Sequence, residues 1–140
     1  MMTALKILLP LDGSRNSFRG LDIAIYLARQ YHGTITGFHV VPMVKPHSND
    51  PISSTEKLFL NNAANFMSRA KIKAAKSGIV FDDRITYGDC EVEIVHYAKK
   101  HNFDMIVIGS RGHSQVTEYF LGSTSNYVLH KSPMPVMIVR

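Results

Sequence analysis

Short continuous apolar runs alternate along the chain with longer stretches in which apolar residues recur every three or four positions. The first run, residues 5–10 (LKILLP), has the pattern of a strand buried on both faces. Asp12-Gly13-Ser14 then reads as a turn, with Ser14 as the N-cap of a helix. Phe18, Leu21, Ala24, Ile25, Ala28 and Tyr31 form that helix's apolar stripe, and Gly33 stops it. Residues 34–41 (TITGFHVV) are β-branched and apolar, a second strand. Residues 42–55 hold Pro42, Pro46, Asn49, Asp50 and Pro51 and read as a mobile loop. A long helix follows from a capping signal at Ser54 and Thr55 to near Gly78, with the stripe Leu58, Ala63, Phe66, Ala70 and Ala74.

Residues 79–86 predict a third strand, less buried because Asp82 and Asp83 interrupt it. Gly88 and Asp89 open a helix with Glu91 and Glu93 in its first turn and Lys99 and Lys100 near its end, both favourable to the helix dipole. Residues 103–109 form a fourth strand, residues 124–131 a last helix, and residues 136–139 a fifth strand. Strand and helix alternate from end to end, with no internal repeat. This predicts one α/β domain over residues 1–140, a doubly wound five-stranded parallel sheet with helices on both faces. Ligands bind such sheets beyond the carboxyl ends of the strands, where strand order reverses. Order 3-2-1-4-5 places Pro10-Leu11-Asp12 beside Gly109 to Gly112.

Composition narrows the function. The 140 residues suffice for one domain with one core, and no apolar run reaches the roughly 20 residues of a membrane span. The N-terminal segment lacks the shape of a signal peptide, and the single Cys90 excludes an internal disulfide framework, so the expected location is cytoplasmic. The net charge of +5 suggests nucleic acid, yet the dense basic run Arg69, Lys71, Lys73 and Lys76 carries no interleaved aromatics. It reads as a solvated helix face.

The candidate chemistry lies in DMIVIGSRGHSQVTEYFLGSTS, residues 104–125. Here G-x-x-G-x(9)-G-S follows a strand and closes on a helix start. Glycines at such a junction let the backbone approach a phosphate, and helix N-terminal amides point at the charge. The chain lacks a P-loop, a GxGxxG turn after its first strand and a GxSxG elbow. Gly109 and Gly112 can shape an anion-binding nest. Ser123 and Thr124 can offer amides and hydroxyls together, and Arg111 adds a fixed positive charge. Asp12 has two readings: a carboxylate for ribose or Mg²⁺, or a turn residue bonding its own backbone.

The arrangement resembles the universal stress protein family, specifically its ATP-binding branch, marked by G-2x-G-9x-G-[ST]. The likeness covers the whole chain, including ILLPLDGS, HVV at residues 39–41, DMIVIGSRG, LGSTSNYVLHKSPMPV and the terminal strand. It implies a Rossmann-like (HUP-type) fold, usually a homodimer, binding ATP at the carboxyl edge of the first and fourth strands. By resemblance, Pro10 and Asp12 flank the adenosine and Val40 lies against adenine. Gly109, Ser110, Arg111 and Gly112 line ribose and phosphates, and Gly122, Ser123, Thr124 and Ser125 hold the phosphate tail.

Other residues rank lower as sites. The seven histidines show no metal-ligand spacing. His113 sits in the glycine loop, either near phosphate or simply exposed, and His39 reads as structural. At a helix start, Cys90 is placed for a dipole-lowered pKa, without a second cysteine to make a redox pair. The apolar strand at residues 136–140 lies at a sheet edge and calls for a symmetric partner. Three functions compete: a regulatory ATP-binding homodimer of the stress response, a slow ATPase or autophosphorylating enzyme using Ser123, Thr124 or Ser125, and a partner-binding module reading AMP or cAMP. No convincing catalytic base stands out, which weighs against an enzyme.

Overall fold

A computed structural model describes residues 4–112 and 121–140. In chain order it contains β1 (Lys6–Pro10), α1 (Arg15–Tyr31), β2 (Thr34–Val41), α2 (Ser54–Lys76), β3 (Phe81–Tyr87), α3 (Cys90–Lys100), β4 (Met105–Gly109), α4 (Ser123–Lys131) and β5 (Val136–Val139). The strands form one five-stranded sheet in the order β3-β2-β1-β4-β5. All four pairings are parallel. This is the expected doubly wound, Rossmann-like topology. Strand order reverses between β1 and β4, so their carboxyl ends diverge into different crossovers and leave a crevice.

The period-two alternation of strands sorts the core into two layers. Ile7, Leu9, Ile35 and Val107 face α1 and α2, whose Leu21, Ala24, Ala28, Ala63, Phe66 and Ala70 complete that layer. Leu8, Phe38, Ile106 and Ile108 face the other side, against Ile94 and Ala98 of α3 and Val128 of α4. β3 is an edge strand with Asp82, Asp83 and Arg84 exposed, matching the interruption in its apolar pattern.

Two stripe residues differ from expectation. Leu58 is 70% exposed and Tyr31 57% exposed. Leu58 precedes Ala63 by five positions, which carries it to the opposite face of a helix with 3.6 residues per turn. The row that packs on the sheet runs Ala63, Phe66, Met67, Ala70 and Ala74. Tyr31 is the last residue of α1, where the chain already turns back. His32, rather than Gly33, takes the left-handed conformation there, with φ 52°. Gly33 is needed for another reason: a Cβ on it would lie 2.5 Å from the Leu5 carbonyl oxygen.

The basic face of α2 is used for tethering. Lys73 meets Asp22 of α1 at 2.6 Å, Lys71 reaches Asp83 of β3 at 4.0 Å, and the Arg69 guanidinium covers the Phe18 ring at 4.7 Å. Among the described residues no helix is long and apolar enough to cross a membrane.

Candidate functional site

Beyond the carboxyl ends of β1, β2 and β4 lies a cavity of about 670 Å³. That volume falls within the range typical of small-molecule sites. Its wall has two ends. Phe38, His39 and Val40 of β2, Pro42, and Phe59 and Asn62 of α2 form one. Gly109, Arg111, Gly112 and the α4 entry from Leu121 to Ser125 form the other, with Pro10, Leu11 and Asp12 between them. The first end is largely apolar. Of the described residues on the wall, Arg111 is the one Lys or Arg side chain and Asp12 the one carboxylate.

The turn after β1 is built by its own side chains. Gly13 sits at φ 82°, in the left-handed region that glycine enters without strain. Asp12 Oδ1 accepts from the Ser14 amide at 2.9 Å, so the turn-forming reading of Asp12 holds. Ser14 in turn caps α1, its Oγ accepting from the Ser17 amide at 3.1 Å. His39 Nδ1 lies 2.8 Å from the Leu11 carbonyl oxygen, and because a carbonyl only accepts, Nδ1 carries the proton. His39 is thus structural and also part of the cavity wall.

The glycine segment works differently from the expected nest. Neither Gly109 nor Gly112 has a positive φ, and Gly122 has φ −63°. The alternating right- and left-handed backbone of such a nest is absent at these residues. The amides beside them are also committed: Ser110 N donates to Val139 O at 2.7 Å, Arg111 N to Asn16 Oδ1 at 2.9 Å, and Gly122 N to Ser110 O at 2.7 Å. Glycine at 109 is required by packing, because a Cβ would collide with Asn16 Oδ1. A Cβ at Gly112 would lie 2.5 Å from Asp12 Oδ2, so this glycine leaves room for the Asp12 carboxylate.

The helix start on the cavity wall is that of α4. Gly122 is its N-cap and supplies no side-chain acceptor, and Ser123 and Thr124 open the helix on the cavity wall. Ten of the eleven anticipated residues converge on this cavity: Pro10, Asp12, Val40, Gly109, Arg111, Gly112, Gly122, Ser123, Thr124 and Ser125. Ser110 is the exception. It is buried, and its carbonyl accepts from Gly122 N and Ser125 Oγ, bracing the loop ends from behind. Ser125 Oγ is 2.9 Å from Ser110 O and 3.0 Å from Gly122 O, so its single proton is spent inside the protein. His113 lies outside the described residues.

Asn16 was not singled out from the sequence. It is only 6% exposed, and while its Oδ1 holds Arg111 N, its Nδ2 donates to Val139 O at 3.1 Å. One side chain therefore ties the α1 start to the ends of β4 and β5. The available signal was a polar residue in the first turn of a buried helix. Phe59 and Asn62 were also missed, although Phe59, Ala63, Phe66, Ala70 and Ala74 continue one helical row. Among the described residues, no cluster of three or more His, Cys, Asp or Glu side chains suits a metal ion.

Cys90 opens α3 on the cavity wall, and its pKa shifts opposite to the dipole expectation. Burial, then the charges of Glu91 and Asp12, push the thiol from 9.0 up to about 11, while a hydrogen bond with Thr124 pulls it partly back. The folded state therefore favours the protonated thiol, and this contribution to stability is lost as pH rises from about 9 to about 11. Two units correspond to about 2–3 kcal/mol. Cys90→Ala is expected to flatten the stability decline across that window relative to the parent. Parallel declines in urea titrations of both proteins would rule out this role for the thiol.

Known proteins carry the same architecture. A model described as the Universal stress protein family matches residues 4–140. Universal stress protein YxiE of Bacillus subtilis (strain 168) is 32% identical over 148 residues, spanning 96% of this chain and 98% of YxiE. Universal stress protein UspA from Lactobacillus plantarum has a TM-score of 0.84 at 26% identity, covering 100% of both chains. The universal stress protein from Archaeoglobus fulgidus, solved in complex with dAMP, shares the fold at a TM-score of 0.76 and 20% identity, again over 100% of each chain. With the sheet order, the cavity at the strand reversal and a family match over nearly its whole length, the chain belongs to the universal stress protein family.

Proposed function

We propose that this protein is a regulatory nucleotide-binding member of the stress response, holding ATP with Mg²⁺ in the cavity between β1 and β4. The single observation that carries this reading is the polarity of that cavity. Its β2–α2 end is largely apolar, with His39 and Asn62 among its lining, while its opposite end gathers Arg111, Gly112 and the amino end of α4. An adenine nucleotide has the same polarity, a flat apolar base joined to a charged tail, and the residues present fit it. Bound ATP supplies the phosphate charge that these groups meet. Arg111 and the first-turn groups of α4 hold the tail, and Asp12 is the carboxylate on the wall that would face ribose or Mg²⁺. Two structures of the same fold support the assignment, a universal stress protein in complex with cAMP and an Arabidopsis thaliana family protein with AMP bound.

Among its described residues the site has little equipment for hydrolysis. Asp12, its one described carboxylate, is tied through Oδ1 to the Ser14 amide, and Ser125 has its hydroxyl engaged. Binding that biases a conformation suits these groups better than turnover. Denaturing the purified protein and identifying released nucleotide by mass spectrometry tests the reading. Absence of nucleotide there, together with no heat of binding for ATP, AMP or cAMP, would overturn it.

The proposed assembly is a cytoplasmic homodimer joined through residues 136–140. β5 pairs with β4 along one edge only, and Met137 is 38% exposed. An apolar strand edge left in water invites pairing, and antiparallel pairing with its symmetry mate satisfies it. Truncation before Val136 would also remove Val139 O from Ser110 N and Asn16, so a point change tests assembly more cleanly. Met137→Lys is expected to halve the mass measured by light scattering. A dimer that persists in this variant argues for another interface.

A further inference from the structure

The wall contributed by α2 has no counterpart among the residues singled out by motif. Its Phe59 and Asn62 line the cavity, but the helix packs into the core of the sheet only from Ala63 onward. Of residues 54–62, Glu56 alone is buried. The two turns that carry the wall therefore lack a buried apolar anchor, and a carboxylate takes its place. Ser53 and Glu56 have the spacing of a capping box, in which each side chain serves the other's amide. Half of that box forms, with Ser53 Oγ accepting from the Glu56 amide at 3.1 Å. The Glu56 carboxylate instead crosses to β3, where Oε2 accepts from the Tyr87 hydroxyl at 2.7 Å. Tyr87 ends β3 beside Val41, the end of β2, so this bond ties the α2 start to the carboxyl edge of the sheet. The phenol's pKa is raised, first by that hydrogen bond, then by burial and the Glu56 charge, so the hydroxyl keeps its proton throughout the physiological range.

Resting on the nucleotide reading above, we infer that Glu56 and Tyr87 are positioning residues for the cavity, their hydrogen bond latching the first turns of α2 in the place where nucleotide meets them. Neither side chain is on the cavity wall, so the effect runs through the helix that carries Phe59 and Asn62. A buried carboxylate is a costly anchor once its partner is gone, because the stranded charge seeks water. Loss of the phenol donor thus favours a helix start turned toward solvent. Ligand affinity then falls with the fraction of molecules still latched. By linkage, bound nucleotide holds the latch in return.

Amide hydrogen exchange and calorimetry with ATP, on the parent, Tyr87→Phe and Glu56→Gln, test the latch. Tyr87→Phe keeps the ring and removes only the donor, so the fold is not at stake. Losing a hydrogen bond to a charged group and stranding that group should shift the latch by about 100-fold. In a parent that is mostly latched, exchange at residues 57–62 should then quicken by about 20-fold, with residues 67–76 unchanged. ATP affinity should fall by about 5-fold. Glu56→Gln keeps an acceptor for the phenol and should stay within about 2-fold of the parent in both measurements. Parental exchange at residues 57–62 in Tyr87→Phe, or a rise shared equally by residues 67–76, overturns the latch. Faster local exchange with unchanged ATP affinity overturns its role at the cavity and leaves the nucleotide site standing. A parent that binds no ATP overturns the nucleotide reading itself, and the exchange rates then decide the latch alone.

Discussion

Asn16→Leu is expected to lower the free energy of unfolding by about 2 kcal/mol, the cost of stranding a buried hydrogen-bonding group. The Arg111 amide loses its acceptor, while Val139 O keeps Ser110 N and suffers less. For a chain of this size that is a fall in melting temperature of roughly 5–10 °C. In urea the midpoint should drop with the slope unchanged, because the surface exposed on unfolding stays the same. The contact with Gly109 supplies an internal control. A Cβ there collides with Asn16 Oδ1, so Gly109→Ala should be costly in the parent and much cheaper in an Asn16→Ala background. Such coupling between touching residues is what a double-mutant cycle isolates. Additive effects in the cycle, or an Asn16→Leu midpoint equal to the parent's, would remove Asn16 from the brace.

Gly112→Val is expected to cost at least about 100-fold in ATP affinity while the protein remains folded. The residue is exposed, so no core packing is lost. Its Cβ, however, would lie 2.5 Å from Asp12 Oδ2. Overlap that close must displace the Asp12 carboxylate, which lines the cavity between the two loops that flank it. The added branch also narrows the space between Arg111 and the start of α4. Calorimetry with ATP, alongside a thermal melt of each protein, separates lost binding from lost structure. An affinity within 3-fold of the parent, in a folded variant, would show that the nucleotide does not sit between these loops.

These expectations rest on features that were legible in the sequence to different degrees. The strands were visible because double burial demands continuous apolar residues, as in Ile7-Leu8-Leu9 and Ile106-Val107-Ile108. Helix starts were visible where a side chain caps, as at Ser14. The spacing of Gly109, Gly112 and Gly122 identified the candidate loop, but its physical cause was hidden. That spacing suggested amides freed for an anion, whereas Asn16, Val139 and Ser110 already occupy those amides. Hydrogen bonds between residues 95 or 123 positions apart leave no local trace in composition or period.

Cys90 makes the same point in electrostatics. A thiol at a helix start reads locally as activated, yet burial and the carboxylates of Glu91 and Asp12 raise its pKa. Asp12 is 78 positions away in sequence and reaches Cys90 only through the fold. Leu58 and Phe59 show how a one-residue error in phase changes which side chain meets the cavity. Moving the row to Phe59 brings the helix onto the cavity.

By itself, then, the sequence determined the element order, the parallel α/β class, the strand reversal and the loops that meet there. Burial period, turn chemistry and handed crossovers are local or chain-order rules, and they suffice for that much. Tertiary structure alone decided which amides are engaged within the protein, why Gly109 must lack a side chain, the direction of the Cys90 shift and the contribution of α2 to the cavity wall. Each depends on distances between residues remote in sequence, and only the packed sheet sets those distances.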